Sequence, residues 1–152
     1  MNEERLIVAL VQHGVDFMQA GASQAVPAAE GQDSEEAIIA HIFINDALPN
    51  RIELTFALRD LNAQMETDDG ELCELPNDPD WLLLAPAHCV RVGPSTVFLF
   101  RSFPGLEEPY PEIKNRAELV IRPSGEMHYR MSLEDKLRFM RAFEKREGMG
   151  EN

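Results

Sequence analysis

The chain has 152 residues, 44% apolar and 27% charged, and its 27 carboxylates against 14 Lys and Arg give a net charge of −13. That length suits one domain whose core needs no disulfide framework, and no apolar run approaches the ~20 residues of a membrane-spanning helix. A surplus of negative charge repels phosphate backbones, so direct nucleic-acid binding is disfavoured and a basic protein partner is favoured.

The imbalance is local. Residues 1–110 hold five Arg, no Lys and nineteen carboxylates, whereas residues 111–147 hold nine basic and seven acidic side chains. The start, Met-Asn-Glu-Glu-Arg, is acidic where a secretory leader is basic, which makes a cytoplasmic chain the expectation. In that reducing setting Cys73 and Cys89, each beside an apolar residue, read as buried free thiols.

From the N-terminus, Leu6, Leu10 and Phe17 form one apolar row and Ile7, Val11 and Met18 the next, which predicts a helix over Glu4–Ala20 capped by Gly21. Residues 22–34, rich in Ala, Gln, Gly and Ser without periodicity, read as a mobile linker inside a single domain spanning 1–152. Ala37–Asn45 is apolar on both faces of a strand, with Ile38, Ala40, Ile42 and Ile44 on one side and Ile39, His41 and Phe43 on the other. It predicts a central strand covered on both sides. In Arg51–Asp60, Ile52, Leu54, Phe56 and Leu58 alternate with polar residues, so the two runs read as a hairpin around Asp46–Asn50.

Residues 66–80 contain seven carboxylates: Glu66, Asp68, Asp69, Glu71, Glu74, Asp78 and Asp80. An EF-hand register fails, because taking Gly70 as its sixth position puts Met65, Thr67 and Pro76 where oxygen ligands belong. The stretch reads instead as an exposed acidic loop, with Asp68-Asp69-Gly70 turning a short hairpin between Leu61–Met65 and Leu72–Leu75. Asn77–Asp80 is a turn or helix N-cap before Trp81–Ala85, and Trp81 lies beside the acidic loop.

Ala87–Val92 and Thr96–Phe103 form a hairpin across Gly93–Ser95. The link Pro104–Pro111 carries three prolines and cannot join a sheet ladder. A third hairpin pairs Ala117–Arg122 with Glu126–Met131, offering Leu119, Ile121, Met127 and Tyr129 to the core. Ser132 caps a last helix whose stripe Leu133, Leu137, Met140 and Phe143 predicts its buried side, with Arg138, Arg141, Lys145 and Arg146 on the wet side.

The chain contains no phosphate-binding glycine loop, nucleophile elbow or dinucleotide fingerprint. His13, His41, His88 and His128 are scattered without zinc spacing, and adjacent His88 and Cys89 would point to opposite faces of a strand. No cofactor, metal site or catalytic residue is therefore indicated.

The composite expectation is an α+β fold: an antiparallel sheet of about six strands from three hairpins, packed by the N- and C-terminal helices. For function it is a small acidic protein-binding module, of the inhibitor, immunity-protein, secretion-chaperone or phage-antagonist kind. Such a module would dock Glu66, Asp68, Asp69, Glu71, Glu74, Asp78, Asp80 and Trp81 on a basic partner. The alternatives are a hydrolase or transferase of unrecognised motif and a structural subunit of a larger assembly.

Overall fold

A computed structural model describes residues 3–20, 24–26, 37–102 and 105–148, with side chains as far as residue 142 except those of residues 25 and 26, and shows a mixed β-sheet with helices on both faces. The order along the chain is α1 (Glu3–Gln12), β1 (Phe17–Gln19), β2 (Gln24–Val26), β3 (Ala37–Ile44), α2 (Leu48–Asp60), β4 (Gln64–Glu66) and β5 (Leu72–Glu74). It continues with a 3-10 helix (Pro79–Leu84), β6 (Ala87–Val92), β7 (Ser95–Phe100), α3 (Tyr110–Asn115), β8 (Glu118–Ile121), β9 (Met127–Arg130) and α4 (Leu133–Gly148). Across the sheet the strands run β5-β4-β6-β7-β3-β1-β9-β8. Strand β1 pairs with residues 42–44 of β3 and β2 with residues 37–39, so together they fill one position beside it.

β3 is the central strand its two apolar faces call for. Ile38, Ala40, Ile42 and Ile44 pack with α1, α2 and the 3-10 helix in one core. Phe43, on the other face, joins Met18, Phe100, Tyr110, Ile113, Met131 and Phe139 in a second core under α3 and α4.

The sheet is mixed rather than antiparallel, because β3 runs parallel to β7 and β1 parallel to β9. The cause is Arg51–Asp60, which is helical and not a strand. Its buried positions are Asn50, Leu54, Thr55, Ala57 and Leu58, a helical spacing, while Phe56 of the supposed strand face is 51% exposed. Pro49 occupies the first turn, where its missing N–H costs nothing. The buried Asn50 amide donates to the carbonyls of Asp16 and Asn45 and accepts from the Asp16 N–H, holding the helix start against the end of β3. With a helix following β3, the chain crosses a face of the sheet before it can pair, and parallel neighbours become available.

The N-terminal helix is also shorter than its apolar rows suggest. Val15 N–H donates to the Leu10 carbonyl and Gly14 N–H to Val11, a Schellman cap made possible by Gly14 at φ +71°. Gly14, not Gly21, ends the helix. Phe17 and Met18 then enter β1, where they serve opposite cores. Within the stretch read as a linker, Gln24–Val26 is β2 and the remainder lies outside the described residues.

The hairpins β4–β5, β6–β7 and β8–β9 form as expected. The expected inward side of β8–β9 does not: Leu119, Ile121 and Met127 are 54%, 67% and 56% exposed. The face of α4 is corrected as well. Ser132 Oγ caps it, accepting from Asp135 N–H at 3.2 Å, but Leu133, Leu137 and Met140 are exposed and the side chain of Phe143 lies outside the described residues. The helix is held by Phe139, edge-on to Phe100, and by buried Asp135, which takes two 3.0 Å bonds from the Arg116 guanidinium. Gly105, at φ +82°, lets the preceding link approach α4; a Cβ there would sit 2.8 Å from that of Ala142.

This assignment predicts that Phe139→Ala costs about 3–5 kcal/mol while Leu137→Ala stays within about 0.5 kcal/mol. Urea unfolding of the two variants checks it. Equal losses would return the helix to the orientation read from its leucines.

Candidate functional site

The acidic stretch folds into the edge of the sheet. Thr67–Glu71 turns the chain between β4 and β5, with Thr67 N–H donating to the Glu71 carbonyl at 2.8 Å and Gly70 in the left-handed region. Asp68, Asp69, Glu71, Glu74 and Asp78 are exposed, and none has a cation partner among the described residues. Asp78 caps the 3-10 helix by accepting from Asp80 N–H. Asp80 is paired with Arg51 at 2.7 Å, and Glu66 accepts the Cys89 thiol at 2.9 Å. Four of the seven nominated carboxylates, Asp68, Asp69, Glu71 and Glu74, therefore remain uncommitted along the β4–β5 edge.

Trp81 does not share that surface. It is 3% exposed, its indole N–H donates to Thr55 Oγ1 at 3.0 Å, and its ring meets His88 edge-on. It is a core residue that fastens the 3-10 helix to α2, and its place among the contact residues is corrected.

Register shows what lies beside the acids. Leu72, Glu66, Cys89 and Phe98 are successive partners across β5, β4, β6 and β7, so their side chains form one row on the face carried by α3 and α4. Those helices stop short of it. Exposure grows outward along the row, from partly buried Phe98, Cys89 and Glu66 to Leu72 at 49%. The uncovered area contains a hollow of about 380 Å³ with Phe98, Phe100 and Ala87 in its lining and Glu66 and Asp68 at its acidic side. An apolar floor with a carboxylate rim suits a cationic side chain whose aliphatic stem can be buried while its head group pairs.

Chemistry at the Cys89 thiol is weak. Burial, followed by the Glu66 hydrogen bond and charge, pushes the Cys89 thiol up to about 12, so it stays protonated at neutral pH. His88 points to the other face, bonding the Leu82 carbonyl at 3.0 Å. Cys73 is free and exposed, which departs from the expected buried thiol. Its row pairs with Met65 and Val90, on the face opposite Cys89.

A second constellation carries no sequence signature. Asp16, in the α1–β1 connection, accepts Lys114 Nζ and the Tyr110 hydroxyl, each at 2.8 Å, and Asn45 Nδ2 at 3.0 Å. Lys114 also lies 5.0 Å from the centre of the Tyr129 ring. Burial would raise the Asp16 carboxyl, but the bonds from Lys114, Asn45 and Tyr110 and the Lys114 charge hold it below its ordinary value. The group borders a hollow of about 430 Å³, yet the carboxylate already has three donors. It acts as a brace joining α1, β3 and α3.

No protein-family model, curated protein or solved structure matches this chain. Among the described residues no helix is long and apolar enough to cross a membrane, and no three His, Cys, Asp or Glu side chains are grouped to hold a metal.

Two histidines set a pH dependence. His41 stacks on Phe98 at 5.2 Å, and His128 on Phe17 at 5.9 Å with its Nε2 bonded to Gln19. Burial pulls both below the ordinary 6.5, and the Arg122 charge adds to this at His128. As pH falls through 6.5 the unfolded chain takes up protons that the folded chain refuses until lower pH, so stability declines toward acid. Urea unfolding between about pH 7.5 and 5.5 should show a falling free energy, with a shallower fall in His41→Phe. Identical slopes in parent and variant would mean that His41 titrates alike in both states.

Proposed function

We propose that this protein is an acidic protein-binding module that docks a cationic partner on the β4–β5 edge. The observation that carries the reading is the juxtaposition of uncommitted exposed carboxylates with an apolar-floored hollow. Asp68, Asp69, Glu71 and Glu74 supply the field that steers a basic protein, and Glu66 with Phe98 and Phe100 supplies a place to bury one of its Lys or Arg side chains. Action as an inhibitor, immunity protein or chaperone in the cytoplasm fits this arrangement, since each requires capture of a charged surface rather than a reacting centre. The protonated Cys89 thiol and the saturated Asp16 carboxylate favour this reading over a hydrolase or transferase.

Immobilised protein should capture a basic protein from its native lysate. Replacing Asp68, Asp69, Glu71 and Glu74 with Lys should slow association at least ~10-fold at low salt and flatten its salt dependence, because exposed charges act over a Debye length of about 8 Å at physiological ionic strength. The melting curve should be unchanged. Equal association rates and salt slopes for parent and variant would show that the acids serve solubility alone.

A further inference from the structure

The opposite edge of the sheet ends on β8, whose outer side pairs with no other described strand. Natural edge strands carry Lys, Pro, a bulge or a covering element that discourages pairing, and Glu118–Ile121 contains no Lys, no Pro and no bulge in its pairing with β9. Leu119 and Ile121, together with Met127 beside Ile121, leave the second face apolar and exposed at this edge.

The register tells which backbone groups are free to pair. Arg122 N–H donates to the Glu126 carbonyl at 2.9 Å, so that pair is hydrogen-bonded, and by alternation Val120 and Glu118 also bond inward to β9. Leu119 and Ile121 therefore aim their N–H and C=O groups outward. The sequence from 118 to 122, Glu-Leu-Val-Ile-Arg, is also self-complementary when read against itself antiparallel. We infer that β8 pairs antiparallel with β8 of a second copy of this chain, about a two-fold axis at Val120.

In that register Leu119 lies opposite the partner's Ile121 and forms a hydrogen-bonded pair on each side of the axis, so all the outward donors and acceptors of both residues are used. Glu118 lies opposite the partner's Arg122 twice, on the face carrying α1. There Arg122 already meets Glu3 at 2.6 Å while its Nε is buried without a partner. Glu118, paired with Arg130 at 3.2 Å and 58% exposed, can be shared. On the other face Met127, Ile121, the partner's Leu119 and the partner's Tyr129 become one apolar row across four strands. Shifting the register by two residues loses both charge pairs, and in one direction it sets Pro123, which has no N–H, opposite Leu119. Three exposed apolar side chains and one strand per copy fall short of the ~800 Å² per partner of a standard interface, so the dimer is weak, with Kd on the order of micromolar or above.

Sedimentation velocity from about 1 µM to about 1 mM should show a concentration-dependent monomer–dimer equilibrium. Leu119→Lys, at a site already half exposed, should raise Kd at least ~10-fold with an unchanged melting curve, and Ile121→Pro, which removes an outward N–H together with an exposed apolar side chain, should raise it as well. Val120 faces the partner's Val120 as a non-hydrogen-bonded pair with Cα atoms about 4.5 Å apart. In a Cys73→Ser/Cys89→Ser background, Val120→Cys should therefore form a disulfide-linked dimer under mild oxidation, and Glu118→Cys should not. A monomer at every concentration, a dimer indifferent to Leu119→Lys and Ile121→Pro, or cross-linking as ready at 118 as at 120 would each overturn the inference.

Discussion

The structure depends on one strand that is apolar on both faces. β3 offers Ile38, Ala40, Ile42 and Ile44 to one core and Phe43 to the other, so neither side can be left to water. α1, α2 and the 3-10 helix close the first face, while the two helices of the second face, α3 and α4, lie over its middle. The eight strand positions reach further than those two helices cover. Among the described residues, what remains open on the second face is its two ends, the acidic hairpin beside Phe98 and the apolar edge at β8, and these are the surfaces to which we assign binding.

The charge distribution follows the same division. Five of the nine basic residues after position 110 are tied to carboxylates within the fold: Lys114 meets Asp16, Arg116 meets Asp135, Arg122 meets Glu3, Arg130 meets Glu118 and Arg138 meets Glu108. The carboxylates of the β4–β5 turn meet no cation among the described residues. Among the described residues, the β4–β5 edge thereby holds a cluster of four carboxylates without cation partners. That cluster gives long-range attraction a direction.

Turn chemistry made much of the fold legible. Asp68-Asp69-Gly70, Gly93-Pro94-Ser95 and Pro123-Ser124-Gly125 each joined the strands predicted to flank them, and the double-faced pattern of β3 identified the centre. Failures arose where one pattern satisfied two periods. Ile52, Leu54, Phe56 and Leu58 alternate like a strand, but Leu54, Leu58 and Leu61 with Ala57 are also helical, and the deciding features were Pro49 and the polar Asn50. Phe17 and Met18 continued the rows of α1, so β1 went unseen despite Gly14. In α4 the longer apolar stripe is the exposed one, because Asp135 is buried by an arginine 19 residues earlier, a contact that no local pattern announces. The site divided likewise: its carboxylates stood out, whereas Phe98 and Phe100 join them only through strand order.

Amide hydrogen exchange tests the two-sided burial of β3 most directly. If this strand anchors both cores, the amides of Ile39–Phe43 open only with global unfolding and are the slowest in the protein, while those of β5 and the outward amides of Leu119 and Ile121 exchange through local opening at dilute concentration. Protection of β3 no greater than that of β5 would contradict the account, because it would mean that the covers on the two faces of the sheet come away without the fold.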